Sequence, residues 1–350
     1  MISQRALNRA TLARQLLLTR HAMPALQVVE HLVGLQAQAP FPPYFGLWCR
    51  LDGFRPQELA ELLVERQVVR IVLMRGTVHL VSAADCLWLR PLTQPLLERY
   101  LNQAYGKRLG ELDVEAVVKA GRELLEKAPL TAAALGAGLA ERFPGVKQDA
   151  LAQVMRSLVG MVQVPPRAVW GKAGQTAYAT AESWLGRELH PEPALEQLVA
   201  RYLAAFGPAT VADMQAWSGL TGLRAVVGRM DLLRLDGELY DLPQAPRPGE
   251  DAPAPVRLLA PFDNLLLSHA DRTRVISDEH RKRVVTINGQ VHGTILVDGF
   301  VHGIWKRDKA TLTLEPFAPL TSAQREEVGA EAVALMEFAE PGKSHDIRGI

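Results

Sequence analysis

Apolar positions recur at helical spacing over residues 4–18, with Ser3 as a cap, and again over 24–37 through Val29, Leu32 and Val33. PQELAELLVERQ makes a third helix, with Pro56 in its first turn. The period then changes to that of strands, because VVRIVLM is β-branched and MRGTVHLV alternates around Gly76. Three helices and a hairpin are the order of a winged helix. The order recurs in DVEAVVKAGRELLEKA, LTAAALGAGLAERF and KQDALAQVMRSLVG, followed by MVQVPP, a turn at GKAGQ and the strand AYATA. A third copy runs through PALEQLVARYLAAFG, TVADMQAWSG and TGLRAVVGRM into LLRLDG and ELYDLP, joined by a tight DGE turn. The copies share order, not sequence.

PQAPRPGEDAPAP, from Pro243 to Pro255, is too rich in proline for a helix or a central strand and reads as a linker. Beyond it, VRLLAPFDNLLLSH, VVTINGQ, VHGTILV, FVHGIWK and ATLTLEP are short strand candidates, with a hairpin turn at Asp298 and Gly299 and a closing helix from Thr321. The expected fold is α+β. Winged-helix units over 1–108, 109–186 and 187–245 lead into a small antiparallel β domain over 256–350.

Three or more packed units suit the 350 residues, which exceed one ordinary core. No run of about 18 apolar residues is free of charge, and the N-terminus is too charged for a signal peptide, so a cytoplasmic protein without a membrane span is expected. Cys49 and Cys86 lack metal or redox spacing and read as buried thiols. The net charge of +1 hides a segregation. Residues 1–108 carry 13 Lys and Arg against 7 Asp and Glu, and residues 256–310 carry 9 against 6. Such segregation fits a face for a polyanion, and equally a set of solvated helix faces.

GLQAQAP, at 34–40, ends an apolar pattern on two amides, Gln36 and Gln38. Helical spacing places Gln36 behind Val33, Leu32 and Val29, on the buried face, where a primary amide is costly unless its hydrogen-bonding sites are filled. Either backbone groups at a helix end fill them, or the amides face a cleft. Arg75, Thr77 and His79 alternate along one strand, so they share a face. FDNLLLSHADRTR offers Asp263, Asn264, His269, Arg272 and Arg274, either as a turn with an Asp–Arg pair or as a hairpin touching DNA. His292 and His302 lack a third ligand and read as surface residues, and HRKR at 280–283 as a solvated run.

Together LNRATLARQLLL, HLVGLQAQAP, GLWCRLDGF, RGTVHLV, RYLAAFGPATVADMQAWSGL and FDNLLLSHADRTRV resemble the AlkZ/YcaQ-type family of winged-helix DNA glycosylases, following its AlkZ branch. The resemblance runs over almost the whole chain. It implies tandem winged helices and a C-terminal β domain in a C-shaped DNA-binding channel. It also implies a catalytic motif of two glutamines around an apolar residue, which falls on Gln36, Ala37 and Gln38; in the YcaQ-like branch an acidic residue replaces the second glutamine. Amides suit a cationic alkylpurine, which leaves as a neutral base and needs no acid, so that what remains is to hold water and present a carbonyl dipole to the sugar. The reading is therefore a monofunctional glycosylase acting on bulky N7-alkylguanine, N3-alkyladenine and interstrand crosslinks. Gln36 and Gln38 would be catalytic, and Arg75, Thr77, His79, Asn264, His269, Arg272, Arg274 and Lys306 would contact DNA. Double-stranded DNA carrying alkylated purines is the expected partner of a monomer with no metal or cofactor. The rival is a winged-helix transcription regulator without catalysis, which the absence of a long dimerisation helix disfavours.

Overall fold

A computed structural model describes residues 2–190 and 192–350. The chain begins with α1 (Gln4–Arg14), α2 (Ala25–His31), β1 (Leu35–Gln36), α3 (Pro42–Trp48), α4 (Pro56–Val64), β2 (Val68–Val72), β3 (Val78–Ser82) and the long α5 (Ala83–Leu109). Ser3 caps α1 by accepting from the amide of Ala6 (3.0 Å), and Pro56 opens α4. The helix expected over 24–37 is corrected: α2 ends at His31, because Val33 (φ 54°) and Gly34 (φ 87°) turn left-handed and start β1 instead. Gly34 is obligatory there, since a Cβ would sit 2.5 Å from Val81 Cγ1 and 2.8 Å from the Leu80 carbonyl.

The middle of the chain gives α6 (Val114–Lys127), β4 (Leu130–Thr131), α7 (Ala132–Arg142), α8 (Gln148–Leu158), β5 (Met161–Val164), β6 (Ala177–Thr180) and α9 (Ala181–Leu185). Then come α10 (Leu195–Phe206), α11 (Val211–Ser218), α12 (Leu223–Val227), β7 (Leu233–Arg234) and β8 (Tyr240–Asp241). After the linker follow β9 (Arg257–Leu259), α13 (Asp278–Val284), β10 (Gly293–Val297), β11 (Phe300–Asp308), β12 (Thr311–Pro316), α14 (Ser322–Ala339) and β13 (Asp346–Arg348). Two strand expectations fail here. FDNLLLSH forms a 3₁₀ turn over Asn264–Leu266, and VVTINGQ keeps a single bridge between Val285 and Val291, because Val284 still belongs to α13. Asp298 (φ 50°) and Gly299 (φ 81°) do turn the β10–β11 hairpin.

The first two hairpins share one six-stranded sheet in the order β1-β3-β2-β5-β6-β4, joined where Ile71 pairs with Val162 and Arg70 with Gln163. Its alternation feeds two cores. Leu35, Val68, Val72, Val78 and Leu80 face a core completed by the C-terminal sheet (β13-β12-β11-β10-β9) and by α14, through Leu335 and Met336. Val69, Ile71, Val81 and Val162 face a second core built from α10, α11 and α12. A third core lies among α6, α7 and α8. Hydrophobic burial therefore ties distant segments of the chain together. Buried ion pairs reinforce this: Arg14 with Asp241, and Arg50 with Asp263, where two bonds of 2.8 Å leave both side chains almost wholly inaccessible. No described helix is long and apolar enough to cross a membrane.

Candidate active site around Gln36 and Gln38

Both edges of the short strand β1 are occupied. On one side Leu35 pairs with Leu80 and Gln36 with His79. On the other, the Asn264 side chain stands in for a strand: its Nδ2–H donates to the Gly34 carbonyl (2.6 Å) and its Oδ1 accepts from the Gln36 amide (3.3 Å). The Ala37 amide donates to the Val78 carbonyl (2.7 Å), and Arg70 Nη2 donates to the Ala37 carbonyl (2.6 Å). Alternation sends Leu35 and Ala37 into the core and puts Gln36 and Gln38 on the opposite side, Gln36 at 8% exposure and Gln38 open to solvent.

The amides are oriented by groups that can only donate. Arg75 Nη2–H reaches Gln36 Oε1 (2.7 Å) and its Nη1–H the Trp217 carbonyl. The Val78 amide donates to Gln38 Oε1 (3.3 Å). Each Gln oxygen must therefore face its donor, so each NH2 points elsewhere, while each oxygen keeps a second lone pair. Arg75 sits in the left-handed region (φ 55°), which costs a non-glycine residue about 1–3 kcal/mol. It has no carboxylate partner among the described residues, and burial together with the Arg272 charge pulls its pKa down to about 10. His79 beside it is buried and, with Arg75 adding repulsion, is held neutral by a pKa of about 3. Its Nδ1–H donates to the Thr77 carbonyl (3.0 Å), and its buried Nε2 has no partner. Among the described residues lining the small cavity against Gln36, the one carboxylate is Asp263. Both its oxygens are engaged by Arg50, and Oδ1 also accepts from the Leu265 amide (3.0 Å).

Residues 29–338 match the family described as "DNA glycosylase AlkZ-like". The chain belongs to that family. It is accordingly a DNA glycosylase, an enzyme acting on N-glycosyl bonds of DNA. A relative described as an interstrand DNA cross-link repair glycosylase, from Streptomyces sahachiroi, is 26% identical, with 87% of this chain and 88% of the relative covered. The solved structure of the Streptomyces sahachiroi DNA glycosylase AlkZ shares the fold, with a TM-score of 0.83 at 22% identity over 99% of both chains. The rival reading, a regulator without catalysis, finds no support in this membership.

Within this AlkZ-like chain the expected DNA contacts separate. Arg75, His79 and Asn264 converge on Gln36, whereas His269 and Arg274 do not. His269 is buried against the Phe206 carbonyl (3.0 Å), with its pKa lowered to about 3 by burial and the Arg274 charge. Arg274 donates to the Pro208 carbonyl (2.7 Å) and stands 3.6 Å from Asp213. With His79 and Asn264, these are four buried side chains, and each of them is hydrogen-bonded to the backbone in this structure. Thr77 is half-buried on the Met74 carbonyl (3.1 Å). Arg272 is half-buried, held through Nε–H to the His269 carbonyl (3.2 Å), and Lys306 is exposed on β11 beside a groove that begins at Ala39. Arg70 escaped the sequence reading, although an arginine inside a β-branched run was itself a signal. It is 2% exposed, and its Nε and Nη1 have no partner.

Proposed function

We propose that this glycosylase hydrolyses the N-glycosidic bond of purines already made cationic by alkylation, N7-alkylguanine and N3-alkyladenine, in double-stranded DNA, and unhooks crosslinks through such bases. Residues 1–108, 109–186 and 187–245 serve as its winged-helix units, residues 256–350 as the β domain, and it acts as a monomer. The observation that carries the reading is a pair of donor-oriented amides, with the one carboxylate at the Gln36 cavity among the described residues, Asp263, already engaged by Arg50 and Leu265. Nothing in that arrangement can protonate a leaving base, so the base must depart as a neutral species without a proton from the enzyme. The name of the Streptomyces sahachiroi relative is consistent with crosslinks as substrates.

The donors Arg75 and Val78 revise the roles expected for the amides. With its oxygen turned to Arg75, Gln36 offers the positive end of its dipole, an NH2 group, to the cleft. That end does not stabilise a developing sugar cation. It does stabilise the acceptor edge of the departing purine, which gains electron density as the C–N bond breaks, so the bond strengthens in the transition state. Gln38 is exposed and keeps a lone pair on Oε1, which accepts an O–H of the attacking water and orients it. Water thereby adds to C1′, the bonding pair leaves with the base, and the proton that the added water sheds passes to solvent, because an amide cannot take it.

The test is a duplex holding one N7-methylguanine, followed by alkali to reveal abasic sites, beside a matched duplex holding uracil. Release of the cationic base with uracil left in place is expected. Equal rates on both would reveal an acid and refute the assignment.

A further inference from the structure

The groove beside Gln38 takes no part in the chemistry proposed above. It begins at Ala39, passes Phe41 and Pro42, and reaches His292, just before β10, and Lys306 on β11, enclosing about 430 Å³. That lies within the range of ligand sites, about 300–1,000 Å³. The small cavity against Gln36 shares Pro42, Pro261 and Phe262 with it, so groove and amides have a common wall. Its sides are aromatic: the Phe45 and Trp305 rings lie 5.9 Å apart, and Phe41 is 37% exposed. No Asp or Glu is among the described residues that line it. Arg307 there is paired with Glu340 (3.4 Å), whereas Lys306 is exposed, and burial with the Lys306 charge holds His292 below its ordinary pKa and so neutral. From the same rim a turn closed by Thr286 and Gln290 (2.9 Å) projects Ile287 at 105% exposure, an apolar side chain with no core to join.

A ligand for such a groove has a planar face for the rings and a negative charge for Lys306. We propose that the groove receives one nucleotide displaced from the duplex beside the lesion, its base against Phe41 and its phosphate on Lys306. The lesion itself is a poor occupant, because Lys306 repels a cationic purine. Ile287 suits the opposite task, filling the gap in the stack as apolar wedges do. The inference rests on the glycosylase reading only in taking DNA as the partner, so its test uses undamaged DNA and needs no excision.

Affinity is measured by fluorescence anisotropy for a fully paired duplex and for the same duplex with one unpaired nucleotide. Stacking one base on an aromatic ring is worth about 1–3 kcal/mol, which predicts a preference for the bulged duplex of about 5- to 150-fold. Phe41→Ala and Lys306→Ala should each bring the two affinities together, and Phe41→Tyr, which keeps a ring, should retain the preference. Equal wild-type affinities, or a preference that survives in both alanine variants, would overturn the proposal. Equal affinities combined with a Phe41→Ala defect specific to aryl-bearing N7 adducts would assign the groove to the adduct's substituent instead. Wild-type excision of N7-methylguanine, assayed in parallel, decides the glycosylase reading separately.

Discussion

Replacing Arg75 by Met separates stability from catalysis in a way the geometry specifies. The fall of the Arg75 pKa to about 10 means that the fold disfavours the charged form by about 3 kcal/mol relative to the unfolded chain. The sign is that of a cation with a depressed pKa. The unfolded chain binds the proton more tightly, so the cost is fully present at any pH below about 10 and is relieved only as pH rises through that value. Arg75→Met removes this cost at pH 7.5 and leaves the Trp217 carbonyl and Gln36 Oε1 without a donor, each loss being worth about 1.5–3 kcal/mol. The relief offsets part of the combined loss and leaves a net destabilisation of about 0–3 kcal/mol, so the melting temperature should fall by several degrees at most.

Excision should not be spared. A free Gln36 amide no longer holds its NH2 toward the cleft, and losing a preorganised dipolar group costs about 10²-fold in rate. Arg75→Lys keeps the charge but reaches one acceptor at most, and should lose less. The assay is single-turnover release of N7-methylguanine at saturating enzyme, with thermal melting alongside. The deciding measurement is the double variant with Gln36→Ala. If Arg75 acts through Gln36, the double variant is no slower than Gln36→Ala alone. Additive losses, with a salt-dependent fall in DNA affinity, would mean that Arg75 contacts phosphate directly, and would refute the positioning role.

Gln38→Glu should retain measurable excision, since a carboxylate still accepts from water, whereas Gln36→Glu loses the NH2 donor and should fall by about 10²-fold; the reverse order would exchange the two roles. His79 and His269, with pKa values near 3 in the fold, remain neutral while an unfolded histidine charges below its ordinary pKa, so stability should decline as pH drops below about 6.5, read as urea midpoints at pH 7.5, 6 and 4.5. For the same reason the pH–rate profile should show no limb near 6.5 from His79. Affinity for two unrelated undamaged duplexes should be similar and fall steeply with salt, and a strong preference for one palindrome would contradict a channel that reads phosphates.

Local signals located the elements that local chemistry determines. Ser3, Pro56 and the Asp298–Gly299 turn lie where capping and turn preferences put them. The misreading of residues 24–37 has its cause in tertiary contact overriding local period. Residues 24–37 look helical to the end, yet Gly34 is there because β3 passes too close for a side chain, and a sequence window holds no record of Leu80 and Val81. The turn after Asn264 is settled by contact in the same way: Arg274 and His269, expected at DNA, are held by the carbonyls of Pro208 and Phe206, which no sequence window records. Asn264 belonged to the site for a reason that spacing cannot show, since its partners Gly34 and Gln36 lie more than two hundred residues away.

That distance explains why the amides sit where they do. β1 has two residues and could not hold a register alone, because so short a strand has too few bonds to offset the entropy of ordering it. It is fixed by β3 on one edge, by Asn264 from beyond the linker on the other, and from α11 by Trp217, whose carbonyl anchors Arg75. Asn264 in turn is placed by the turn that Asp263 caps, and Asp263 by Arg50 from the end of α3. The orientation of Gln36 is therefore a property of the assembled chain rather than of its first hundred residues. The proposed use of weak dipoles in place of acids depends on such anchoring, because an amide that rotates freely does no more than the water it replaces.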